Sequence, residues 1–239
     1  MRLPRGLLCF FAAYVLGQLP TVRANTEIVN FGVSPGPDVL LPQSSVWPEL
    51  LPHESEKLVS VLPAPVDTPI ADVCEPVTAA SLGKCPHELW LSLGLDESAW
   101  SSFSKFTLRV SSPASHPADF YINIYTPEAL AKLAYGDRAS EHTSPPGANF
   151  RRMFARIRLV NGALPAQRNA TMEPVPFIVT VEPLLFGVLP GSVIPTVACL
   201  LFIGLAAGFL VFPRVSRYLG KVADKVRAET AIERGRKDR

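Results

Sequence analysis

The chain has 239 residues, 48% of them hydrophobic, with 23 Lys and Arg against 21 Asp and Glu, a formal net charge of +2. That near-balance hides two parts of opposite sign. Residues 25–212 hold 11 basic and 17 acidic side chains, whereas residues 213–239 hold nine basic and four acidic. Separated in this way, the sequence excludes a basic nucleic-acid-binding protein.

At the N-terminus, Arg2 and Arg5 precede the ten-residue apolar run Leu7–Leu16, and Val22-Arg23-Ala24 places small residues at the expected cleavage positions. This predicts a secretory signal peptide over residues 1–24, with an uncleaved anchor as the competing reading. Residues 25–187 are then long enough for one domain with a core of its own. Between Val33 and Pro69 stand eight prolines in 37 residues. Such density disfavours helices and limits strands to short or edge positions. Thr26–Phe31, just upstream, and Lys57–Leu62, within it, are candidate strands. Apolar residues recur too often there for a solvated linker, so irregular packed structure is expected.

Of the four cysteines, Cys9 belongs to the leader and Cys199 to an apolar run, leaving Cys74 and Cys85. An isolated pair in an oxidising compartment points to one disulfide closing a short loop. A two-cysteine spacing does not supply the four ligands of a zinc site.

Beyond Cys85 the apolar period becomes two. Glu88–Leu93 carries Leu89, Leu91 and Leu93 on one face. Ser104–Ser111 alternates Phe106, Leu108 and Val110 with Lys105, Thr107 and Arg109. Asp119–Tyr125 alternates Phe120, Ile122 and Ile124 with Tyr121, Asn123 and Tyr125. These two strands, separated by a Ser- and Pro-rich loop, read as an antiparallel hairpin. A short helix follows, with Thr126 as its cap, Pro127 at its first position and Gly136 at its end. Arg151–Val160 is a strand with Met153, Ala155, Ile157 and Leu159 facing in and Arg152, Phe154, Arg156 and Arg158 facing out. Pro176–Glu182 is the last strand. Asn169-Ala170-Thr171 is the one N-x-S/T sequon and marks Asn169 as a glycosylation acceptor in a polar loop. The expected fold class is mainly β, an antiparallel β-sandwich-like luminal domain with one short helix.

Val193–Phe212 is a run of twenty residues without charge. As a helix it spans about 30 Å, the thickness of a bilayer's hydrocarbon core. A transmembrane helix is therefore expected over residues 188–212. The net charge of +5 behind it places residues 213–239 in the cytoplasm as a basic tail. Gly204 and Gly208 form a G-x-x-x-G pair that lets another helix approach closely. In the tail, Val215, Leu219, Val222 and Val226 recur at helical spacing beside Arg214, Arg217, Lys221 and Lys225. This suits a helix on an anionic leaflet or a solvated extension of the span. Arg236 and Lys237 stand fourth and third from the end of the sequence, as in a dibasic signal for retrieval to the endoplasmic reticulum.

The residues offer no nucleophile elbow, phosphate loop or dinucleotide turn. His53, His87, His116 and His142 lie in Pro-rich or polar segments without metal-ligand spacing and are expected to be exposed. The pairs Asp96 and Glu97, or Asp137 and Glu141, read as loop and helix-end charges rather than as an acid and a base. No cofactor and no catalysis are expected of this chain.

Three stretches together resemble a known family. They are the start Asn25-Thr26-Glu27 with the strand behind it, LRVSSPASHPADFYINIY (108–125), and VTVEPLLFGVLPGSVIPT (179–196) leading into the span. They are similar to the fungal accessory subunit of GPI mannosyltransferase II. That resemblance implies a type I membrane protein of the endoplasmic reticulum. Its implied partner is the polytopic catalytic subunit that adds the second mannose to the glycosylphosphatidylinositol precursor. Two alternatives stand beside it: an accessory subunit of the first GPI mannosyltransferase, and a single-pass receptor or adhesin of the cell surface.

Overall fold

The computed structural model describes residues 24–38, 41–142, 150–162 and 173–237. The chain separates into two compact units, residues 1–188 and 189–239. Residues 1–23 of the predicted leader and Asn169 lie outside the described residues.

The first unit is mainly β. Its strands are β1 (Ala24–Gly32), β2 (Glu49–Leu50), β3 (Glu56–Val61), β4 (Glu88–Gly94), β5 (Lys105–Pro113), β6 (Ala118–Tyr125), β7 (Arg152–Asn161) and β8 (Val175–Leu185). A first sheet has the order β1-β5-β8-β3 with every neighbour antiparallel. A second has the order β2-β4-β7-β6, antiparallel except for the short parallel pair β2 and β4. The expected hairpin of residues 104–125 is corrected here. β5 lies between β1 and β8 in the first sheet, while β6 pairs with β7 at the edge of the second. Alternation identifies a strand and its buried face but says nothing of its partner.

One core joins the inner faces of the two sheets. Phe106, Leu108 and Val110 of β5 and Phe177, Val179 and Val181 of β8 meet Leu91 and Leu93 of β4, Phe120 of β6, and Ala155, Ile157 and Leu159 of β7. Phe120 and Phe177 make an edge-on contact across it, with ring centroids 5.1 Å apart. These are the inward members of each alternating run, placed by the two-residue period of the strand.

The second sheet is covered on its other side as well. The helix α1 (Pro127–Tyr135) starts at Thr126, whose hydroxyl accepts from the Ala129 N–H, and ends at Gly136 at φ +60°. Its apolar stripe, Leu130, Ala131 and Ala134, packs on Trp90 and Phe154 together with Leu41, Val77 and Leu82. Trp47 stacks on Trp90 at 5.3 Å and meets Phe154 edge-on. The Pro-rich segment thus contributes the strands β2 and β3, a 3-10 turn at Pro42–Val46, and buried side chains (Leu41, Leu50, Val61 and Ala64).

The second unit is helical. After a 3-10 turn at Gly191–Val193, α2 (Ile194–Ala206) passes through a π-helical stretch, Ala207–Val211, into α3 (Phe212–Lys237). Pro213 accounts for the widened turn. It has no N–H to give the Phe209 carbonyl, and its ring clashes with an ordinary α-helical turn there. Over Gly191–Thr230 this helix is long and apolar enough to cross a membrane, and its most apolar window is wholly unburied.

Candidate functional site

Two arrangements stand out, one in each unit. In the β unit, β7 presents Arg156 and Arg158 to the outer face of the second sheet, opposite Trp90 and Glu88 of β4. Arg156 was expected to be exposed; it is 1% exposed and Phe154 is fully buried. The alternation itself holds, but α1 and the loop around the disulfide roof this face. The Arg156 guanidinium donates from Nε to Glu88 at 2.7 Å, from Nη1 to Glu75 at 2.6 Å, and from Nη2 to the Cys74 carbonyl at 2.9 Å. Its face also lies 5.5 Å from the Trp90 ring. Arg158 donates to the Ile70 carbonyl at 2.8 Å and to Asn123 Oδ1 at 3.1 Å. Cys74 and Cys85 are joined by a disulfide with Cα atoms 5.7 Å apart. The bridge closes the loop that carries Glu75 and the Cys74 carbonyl to Arg156.

Burial alone depresses the Arg156 guanidinium, but its hydrogen bonds and charge contacts with Glu75 and Glu88 outweigh burial and raise it above the ordinary arginine value. Arg158 is lowered, by burial first and then by the like charge of Arg156, against the pull of Glu75. Two arginines and two carboxylates so interlocked form a neutral, hydrogen-bonded cluster that ties the disulfide loop to the sheet. Both carboxylates are engaged, and the arrangement is a structural clasp.

The candidate acids Asp96 and Glu97 are engaged too. Asp96 accepts the Arg151 N–H at 2.7 Å, and Glu97 lies 3.5 Å from His53. Two histidines differ from expectation. His87 is half-buried and its ring bonds the Leu62 carbonyl at 3.0 Å, and His116 is half-buried beside Ser115. Among the described residues no group of three His, Cys, Asp or Glu side chains could hold a metal ion.

In the helical unit, a shallow hollow of about 360 Å³ is lined by Val197, Leu200, Leu201, Gly204 and Leu205. Gly204 lines it without a side chain, and a Cβ built there meets nothing within 4 Å. Gly208 does not line this hollow. It falls in the π-helical stretch Ala207–Val211. In α3, Val215, Leu219, Val222 and Val226 are all exposed. Arg236 and Lys237 lie in its last turn.

What sequence reasoning missed is the clasp. The signals for it were Phe154 among the outward residues of β7, Trp90 on the matching face of β4, and an apolar stripe on α1 that needs a surface to cover. No family model, curated protein or solved structure matches this chain.

Proposed function

We propose that the chain is a single-pass type I protein of the endoplasmic reticulum membrane and a non-catalytic accessory subunit of a polytopic GPI mannosyltransferase, the one that adds the second mannose. In this reading the two sheets form a luminal β-sandwich over residues 25–187, residues 188–212 cross the bilayer, and residues 213–239 are the basic cytoplasmic tail. The leader peptide, an oligosaccharide on Asn169, and retrieval through Arg236 and Lys237 belong to the same proposal.

The observation that carries it is the apolar helix. Leu200, Leu201, Phe202, Ile203, Leu205 and Phe209 are all more than half exposed, and an apolar surface of that extent needs lipid or another helix around it. The β unit supports a helper's role, because its conspicuous charged groups are engaged in the clasp that holds its own fold. The choice of mannosyltransferase partner rests on the resemblance of residues 25–27, 108–125 and 179–196.

The test is capture of the tagged full chain in mild detergent, with mass spectrometry of what accompanies it. Recovery of the polytopic enzyme of the second mannose step supports the reading. Recovery of the first-step enzyme moves the chain to that complex. Arrival at the cell surface with neither enzyme attached overturns the proposal. Gly204→Leu fills the hollow on α2 and is expected to reduce recovery at least severalfold, with Gly208→Leu the weaker of the two.

A further inference from the structure

We propose that the turn Leu184–Val188, with Lys105 beside it, is a phospholipid contact that inserts at the bilayer interface. The inference rests on the reading of residues 188–212 as a membrane span and adds a second point of attachment, on the β unit itself.

The turn follows β8. The Gly187 N–H donates to the Leu184 carbonyl at 3.1 Å and the Val188 N–H to the Leu185 carbonyl at 3.2 Å. It lifts two apolar side chains clear of the domain: Phe186 is 91% exposed and Val188 is 74% exposed. Phe186 does so at φ +54°, in the left-handed region that a bulky side chain rarely enters. Holding a phenyl ring in water on such a backbone is unfavourable on both counts, and an apolar phase around the ring removes the hydration cost and offsets the strain.

The sequence supplies that phase within reach. From Pro183 to Pro213 no residue is charged, a run of 31 against the twenty or so that a span requires. The excess lies on the N-terminal side and contains Phe186 and Val188. Gly191, where the long apolar helix begins, is the fifth residue after Phe186, so the chain permits no more than about 18 Å between them.

A cation completes the site. A hollow of about 400 Å³ beside the turn is lined by Ser102, Ser104, Lys105, Leu184, Phe186 and Gly187, among others. Lys105 lies along Gly187: a Cβ built on that glycine falls 3.1 Å from Lys105 Cδ and 3.5 Å from Nζ. Gly187, at φ +73°, thus leaves room for the lysine stem to run beside the turn. No carboxylate among the described residues pairs with Lys105. An aromatic tip, an aliphatic neighbour, two hydroxyls and an ammonium on a flexible stem match the boundary between acyl chain and phosphate of a glycerophospholipid.

The test uses the full chain with Cys9→Ala and Cys199→Ala, reconstituted in vesicles of phosphatidylcholine with phosphatidylserine. A nitroxide label is placed at Phe186→Cys, an exposed position that tolerates it, or at Leu201→Cys in the helix. Relaxation by oxygen is then compared with relaxation by an aqueous nickel chelate. Both labels are expected to be relaxed more by oxygen, position 201 strongly and position 186 to an interfacial degree. Lys105→Glu is expected to shift position 186 toward water in these anionic vesicles and to leave position 201 unchanged. If 201 is in lipid and 186 in water, the contact is overturned and the span stands. If 201 is itself in water, the span reading falls and the contact with it. A label at 186 whose depth ignores Lys105→Glu removes the lysine from the site.

Discussion

Behind the second sheet stand α1, the disulfide loop and the stacked rings of Trp47 and Trp90, so that even Arg156 is closed off from water. Behind the first sheet there is no such layer among the described residues. Ile28, Ile178 and Leu58 stand exposed on it, Leu58 at 73%, and Arg109 reaches Glu182 at 3.7 Å while remaining partly solvated. The inner faces of the two sheets carry the same kind of side chain, so the core does not distinguish them. The back of each sheet does. Similar surface chemistry, an arginine facing a carboxylate on a strand, becomes a clasp where a helix desolvates it and a weak surface pair where none does.

Arginine removal probes that difference most strongly. Arg156→Ala leaves Glu88, whose side chain is 2% exposed, buried without its charge partner. It is expected to lower the stability of the β unit by about 3–5 kcal/mol in urea unfolding. Arg109→Ala on the open sheet is expected to cost less than about 1 kcal/mol. Equal losses would show that the covering layer does not desolvate its pair, and the contrast between the sheets would collapse. Next in size is the double change Cys74→Ser with Cys85→Ser, expected to cost about 2–4 kcal/mol through the loop it opens. Because that loop carries Glu75 and the Cys74 carbonyl to Arg156, combining the double change with Arg156→Ala is expected to cost less than the sum of the two.

Much of the β unit was legible from alternation and capping. Phe106, Leu108 and Val110, or Ala155, Ile157 and Leu159, announce a buried face because nothing but a strand buries every second residue. Thr126, Pro127 and Gly136 announce both ends of α1, since a cap is a local matter of one side chain and one backbone angle. What lay beyond the sequence is long-range. Whether β5 pairs with β6 depends on the competing edges of β1, β7 and β8, and no local pattern carries that choice. Whether an outward Arg156 meets water or Glu88 depends on where α1 lands, some twenty residues earlier in the chain. The candidate helix face shows the same limit. Gly204 and Gly208 read as one α-helical face, and nothing in the letters around them announces that the second glycine falls in the π-helical stretch Ala207–Val211 ahead of Pro213.

Two smaller changes sharpen the contrast from either side. On the covered side, Thr126→Ala removes the hydroxyl that accepts the Ala129 N–H and is expected to cost about 1 kcal/mol. A matching change in the near-ultraviolet dichroism of the Trp47 and Trp90 stack would show that α1 loosens as a lid.

On the open side, Leu58→Ser removes an exposed side chain from β3 and is expected to move stability by less than about 0.5 kcal/mol. Its value lies in a second reading, the recovery of the polytopic partner in detergent. With docking assigned to the Gly204 face of α2, Leu58→Ser is expected to leave recovery unchanged while Gly204→Leu reduces it. If Leu58→Ser abolishes recovery with stability intact, the uncovered sheet is the docking surface. Its lack of a covering layer would then follow from function, because a protein partner supplies for the first sheet what α1 supplies for the second.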